Sequence, residues 1–232
     1  MIVLRRSEDR GRTQIAWLES RHSFSFGDYY DPANECFGAL RVINEDWIKG
    51  GAGFQPHSHR DMEIVTYILD GAIAHKDSSG GGGTIRPGEI QRMSAGSGIT
   101  HSEFNPSTNQ TCHMLQIWIM PSRRGIRPGY EQKVIEPDNV RNHFARIAAP
   151  EPRENEVRLV QDAEIWAARL DARVEAIHPL AKGRKAWLHV ARGEVKLGEQ
   201  ALRAGDAAAI TDQDQIAVRS SAPSEVLLFD LA

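Results

Sequence analysis

Two short stretches concentrate the residue types that do metal chemistry. The first runs Gly51-Ala-Gly-Phe-Gln-Pro-His57-Ser-His59-Arg-Asp-Met-Glu63, and the second runs Gly98-Ile-Thr-His101-Ser-Glu103-Phe-Asn105. Alternate side chains of a β-strand share a face, so His57 with His59, and His101 with Glu103, would each present two donors in one direction. Two such strands side by side inside a barrel would bring three imidazoles and a carboxylate to one point. That donor set suits Fe(II), Mn, Ni, Cu or Zn and leaves coordination positions open for substrate, water or dioxygen. A closed structural zinc site would more often use cysteine, and no paired cysteines lie nearby. Glu63 is four residues past His59 and on an unbroken strand would face the same way. From spacing alone, Glu63 or Glu103 could be the carboxylate ligand, the other standing behind the ligands or acting as a base. A lone His-x-His or His-x-Glu is weak evidence, because such pairs arise by chance. The two stretches together, with their flanking glycines and trailing Asn105, are much more specific.

Gly51, His57, His59 and Glu63 resemble the first cupin motif, and Gly98, His101 and Asn105 the second. More narrowly, the chain resembles the bacterial pirins of the quercetin-dioxygenase type. The strings that carry this resemblance are His22-Ser-Phe-Ser-Phe-Gly-Asp-Tyr-Tyr-Asp-Pro32, Pro56-His-Ser-His-Arg-Asp-Met-Glu-Ile64, Met93-Ser-Ala-Gly-Ser-Gly-Ile-Thr-His-Ser-Glu-Phe-Asn105 and Gln116-Ile-Trp-Ile-Met-Pro121. It is dense over residues 12–130 and holds only in outline beyond. The Ala-Gly-Ser-Gly run, where many cupins have Pro-x-Gly, and the late Gly71 both fit the pirin branch. The resemblance implies that the carboxylate ligand is Glu103, with His57, His59 and His101 as its companions, and that the metal is most often Fe(II). It also implies Glu103 as the catalytic group, a flavonol such as quercetin as substrate, and dioxygen as co-substrate. Glu63, Asn105, His113 and Gln116 are then candidates to surround the ligands or line the pocket.

The elements that must position these residues read as short β-rich runs between Gly, Pro, Asn and Asp, the rhythm of an all-β barrel or sandwich. Strands are expected at 37–44, 64–69, 91–94 and 113–119, with Asp70-Gly71 as a hairpin turn and a return strand starting at 72–75. Residues 78–83, with four consecutive glycines, read as a flexible loop tip, and 95–98 as a tight loop leading into His101. His113, Leu115, Ile117 and Ile119 share one face of their strand, Met114, Gln116 and Trp118 the other. Residues 122–155 show little periodicity beyond a short helix at 138–145. From 163 the strand-turn rhythm returns, and Trp187-Leu-His-Val-Ala-Arg-Gly193-Glu looks like a cupin hairpin without a His-x-His before it. The expected organisation is a bicupin: a metal-binding barrel at 1–135, a linker at 136–154 and a metal-free barrel at 155–232. His178 and His189 are expected to be structural.

Composition sets the outer bounds. A net charge of −3 with no basic block argues against direct nucleic-acid contact. Arg5-Arg6 and Arg123-Arg124 read as solvated pairs. Cys36 and Cys112 read as free buried thiols of a reducing cytoplasm. No signal-peptide core and no bilayer-length apolar run are evident, and a cytoplasmic monomer is expected. Hydrophobic walls from Phe24, Phe26, Ile64 or Trp118 would suit a flat aromatic substrate. The resemblance also implies a second role, an iron-dependent regulator that binds a protein partner without turnover. A third class, a cupin isomerase or sugar-binding protein, would need polar walls and no sensitivity to metal redox state. Oxygen uptake with quercetin discriminates the first from the others.

Overall fold

The computed structural model describes residues 1–232, most of them in strands, turns and bends. Nine strands build the first sandwich. Eight follow the order Gly11–Gln14, Leu18–His22, Leu40–Ile48, Cys112–Ile119, Gly53–Asp70, Glu89–Phe104, Ile73–Asp77, Gly82–Ile85, and Gly129–Val134 adds to the free side of Glu89–Phe104. Two strands are unusually long, Gly53–Asp70 at 18 residues and Glu89–Phe104 at 16. Each bends and serves both layers. The half after Glu63 pairs with Cys112–Ile119, whereas the half before it pairs only with Glu89–Phe104, whose own end turns to Ile73–Asp77. The bend falls at a register slip between His59 and Asp61, where Asp61 takes a positive φ of 65° and Gly96 opposite takes 49°. Residues 95–98, expected as a loop, are therefore the corner of a continuous strand. Bulges of this kind turn a sheet without ending it. Leu18, Ile48, Ile68, Ile73, Ile85, Cys112 and Met114 fill the space between the layers.

The second sandwich packs a seven-stranded sheet on a four-stranded one. Between them lie Leu170, Leu188, Val190, Val195, Leu202, Ile216, Val218 and Leu228. The larger sheet turns its other face to the first sandwich, where Trp187, Leu227 and Phe229 meet Ile43, Val65, Tyr67, Leu115 and Ile117. Ser224–Leu231 is buried at every position because both its faces are covered.

Two pairings differ from the expected division. Ile2–Arg5 does not join the first sandwich but pairs antiparallel with Ala207–Ile210 of the second. Ala145–Ala149, inside the expected linker, pairs with Ala163–Leu170 of the same sheet. Short apolar runs carry no mark of which sheet they will complete. The helix expected over 138–145 is one turn, Pro137–Val140. Nor are Arg5 and Arg6 solvated. Arg5 donates to Tyr29 Oη (2.7 Å) and Arg6 to Asp206 Oδ2 (2.9 Å), so the chain start stitches both sandwiches together. Cys112 is buried as expected, but Cys36 is exposed. No helix is long and apolar enough to cross a membrane.

Candidate metal centre

The site lies where the two bent strands run side by side. His57 and His101 are direct cross-strand partners, and His59 sits opposite Ile99. Gly53 allows this approach: a Cβ there would fall 2.1 Å from the Glu103 carbonyl oxygen. The ring centroids are 4.4 Å apart for His57–His101, 4.8 Å for His57–His59 and 4.9 Å for His59–His101. One ring nitrogen from each of the three falls within 4.8 Å of the others. His57 Nδ1 donates to the Gln55 carbonyl at 2.8 Å, which leaves Nε2 with a bare lone pair. His101 Nε2 is buried with no hydrogen-bond partner at all. Burial and the neighbouring His57 push His59 down to about 4, and burial with His57 and His59 pushes His101 down to about 3. Both are neutral donors at neutral pH, the form a metal needs. An orphaned buried acceptor between two imidazoles fits a cation.

Glu103 is fully buried next to His101 and belongs to a second group of donors, with His101 and His75. Its Oε2 accepts from Gln116 Nε2 at 2.8 Å, and Gln116 Oε1 accepts from Trp118 Nε1 at 3.2 Å. Burial pushes the carboxyl up to about 7. A dication nearby would reverse that shift. Trp118 stands edge-on to His59 (4.9 Å) and to Phe26 (5.5 Å), giving the open side of the histidines an aromatic wall.

Other expected site residues lie elsewhere. Glu63 lies beyond the corner at Asp61, whose φ of 65° breaks the regular alternation after His59; its Oε2 accepts from the Val160 amide across the seam at 3.3 Å. His113 is on the opposite strand face from Gln116. It bonds Glu45 at 2.8 Å, stacks on Trp47 and lines a cavity of about 610 Å³ between the sandwiches. Asn105 closes a turn, donating to the Ile48 and Gln110 carbonyls and accepting from the Ser107 amide. Phe24 packs on Trp187 in the central core, and Ile64 joins Met93, Ala95 and Ile99. His178 bonds Asp230 at 2.9 Å, and His189 is fully buried with both nitrogens unpartnered. The sequence reading missed His75, which faces His101; the string His75-Lys-Asp77 has the same i, i+2 spacing and was the available signal.

Residues 4–119 match the Pirin family model, and residues 146–231 match the model of the quercetinase C-terminal cupin domain. The chain belongs to the pirin family. Among its relatives is a protein named quercetin 2,3-dioxygenase from Escherichia coli (strain K12), 43% identical over 231 residues, covering 100% of this chain and 99% of that one. The crystal structure of YhhW from Escherichia coli superposes with a TM-score of 0.96 at 42% identity, over 100% of this chain and 98% of that one. A crystal structure of the bacterial pirin YhhW in complex with nickel(II) gives a TM-score of 0.94 at 42% identity, over 100% of this chain and 99% of that one. Both sandwiches of this pirin are thus cupin domains. The nickel belongs to that relative.

Proposed function

We propose that His57, His59, His101 and Glu103 hold one divalent metal ion and that the protein is a dioxygenase cleaving a flavonol such as quercetin with O2. The observation that carries this reading is the orphaned, buried His101 Nε2 set among His57, His59 and a buried Glu103 whose carboxyl sits near neutrality. When bound, the metal supplies a Lewis acid that lowers the pKa of the flavonol hydroxyl and offers open positions to the reactants. The residues do the rest. Gln116 holds Oε2 of Glu103, so Oε1 is the oxygen left to meet the metal and to take the hydroxyl proton. Trp118 and Phe26 provide flat apolar surface for an aromatic ring system. Fe(II) is the expected ion, and the nickel complex of a 42% identical relative makes nickel the first alternative.

Elemental analysis of natively purified protein, paired with oxygen-electrode assays on quercetin, tests the reading. One metal per chain and metal-dependent oxygen uptake are expected. A metal-loaded protein that consumes no oxygen with any flavonol would overturn the enzyme and leave the iron-dependent regulator. His57→Ala and His101→Ala are each expected to strip most of the metal, and full retention in either would overturn the ligand set.

A further inference from the structure

His75 and Asp77 lie on the strand Ile73–Asp77, behind the metal cluster and on the far side of the His101 ring from its free Nε2. His75 is buried, and its Nδ1 is 3.4 Å from His101 Nδ1. On its other side, His75 Nε2 is 3.1 Å from Asp77 Oδ2. Asp77 is held in turn: its Oδ1 accepts from the Ser79 amide (2.8 Å), the Ser79 hydroxyl (2.6 Å) and the Gly81 amide (3.0 Å). With two backbone amides and a hydroxyl fixed on Oδ1, the Asp77 carboxylate presents Oδ2 to His75 as an acceptor. The Tyr130 ring lies on His75 at 5.1 Å. The glycines have a packing reason too. A Cβ on Gly81 would fall 2.4 Å from Asp77 Oδ2 and 2.6 Å from Tyr130 Cβ. The run His75-Lys-Asp77-Ser-Ser-Gly-Gly-Gly-Gly83 is one device rather than a strand followed by a slack tip.

The proton positions follow from one end to the other. An acceptor-only Asp77 requires the His75 proton on Nε2. His75 Nδ1 is then a bare acceptor facing His101 Nδ1, so His101 carries its own proton there. The tautomer that remains has the His101 lone pair on Nε2, the buried atom without a partner. We propose that Asp77 and His75 are positioning residues that fix the tautomer and ring orientation of His101 for the metal. This rests on the metal reading above and extends it, since hydrogen-bonded carboxylates and imidazoles behind a ligand commonly set its affinity. His75 is not itself a ligand of an ion on His101 Nε2, because it faces the opposite edge of that ring.

Asp77→Asn is the decisive substitution. Its amide oxygen can keep the Ser79 and Gly81 bonds while its NH2 faces His75 Nε2. That reverses the proton order and leaves His101 protonated on Nε2. Nickel(II) affinity of the chelator-stripped full chain, measured by chelator competition, is expected to fall about 10–100-fold. The thermal midpoint of the metal-free protein should stay near that of wild type. His75→Phe, which keeps a ring against Tyr130, should lose a similar factor, and the double variant no more than either single one. Wild-type affinity in Asp77→Asn, or losses that add in the double variant, would overturn the proposal. So would a second nickel per wild-type chain that His75→Phe removes. Should Asp77→Asn not fold, the ¹⁵N shifts of the metal-free wild-type imidazoles decide. Protons on His101 Nδ1 and His75 Nε2 support the relay, and the reverse order ends it. Failure of wild type to bind metal at all would instead count against the metal reading itself.

Discussion

Glu103 lies buried against Gln116 and His101, and replacing it with Gln separates its two duties. Glu103→Gln keeps an acceptor oxygen but loses charge and basicity. It should keep part of the metal and lose about 10²–10⁴-fold in quercetin-dependent oxygen uptake per bound metal. Glu63→Gln should leave uptake per metal nearly unchanged, since Glu63 bonds the Val160 amide at the seam. If Glu63→Gln is the more damaging change, the two carboxylates have been assigned the wrong way round. A second expectation concerns His189, which burial, aided by the charge of Arg10, pushes down to about 4. Its unfolded value is near 6.5, so the unfolded chain binds the extra proton first. Its contribution is complete above pH 6.5 and is lost as pH falls toward 4, on the order of 3 kcal/mol in all. Urea unfolding of His189→Gln should lack this step, and an identical pH profile in the variant would refute it. The histidine pairs were legible at this scale because strand parity needs only a count of two. Glu63 was not, because the positive φ at Asp61 turns the strand between it and His59. His75 was not, because the work it does depends on which ring edge it meets.

The two long bent strands carry the site, and at Gly53 the partner backbone leaves no room for a Cβ. Gly53→Ala drives a methyl into the Glu103 backbone, a cost of roughly 1–3 kcal/mol for overpacking. Because the displaced residue is Glu103 itself, metal affinity should fall along with the melting temperature. A variant that melts lower yet binds metal as before would mean that the corner tolerates movement. The hairpin at Asp70-Gly71 was readable from turn chemistry, and Gly71 does take a positive φ of 74°. The corner at Gly96 was not distinguishable from a loop, since both need glycine at positive φ and only pairing to Asp61 separates them. The glycines at 80–83 posed the same ambiguity, resolved by what Asp77 accepts.

Two sandwiches were legible from the return of the strand rhythm after residue 163, and the cupin pattern named their type. What joins them was not, because an interface of Val, Ile and Leu on strands buried on both faces has the composition of any core. Tyr67 Oη donates to Glu225 Oε1 at 2.5 Å and Arg192 bonds Asp70 at 2.6 Å, so the seam has polar fasteners as well as apolar contact. With that shared core, calorimetry should record one cooperative unfolding transition for the metal-free protein. Two well-separated transitions would mean that the sandwiches are independent. Deleting residues 2–6 removes both the edge strand on Ala207–Ile210 and the Arg5 and Arg6 bonds. A loss of 2–3 kcal/mol is the expected scale, which lowers the melting temperature by roughly 5–10 °C. An unchanged midpoint would show that the first strand is dispensable.

The position of that first strand also bears on how the protein is made. Ile2–Arg5 is translated about 200 residues ahead of its partner Ala207–Ile210. At about 5–20 residues per second, the opening segment waits roughly 10–40 s for its mate. The metal-binding sandwich can assemble during that interval while the first strand of the other sandwich dangles. Completion of the second sandwich is thus postponed until Ala207–Ile210 has emerged, and a nascent polypeptide stalled short of residue 207 carries an unpaired β-strand ahead of its first sandwich.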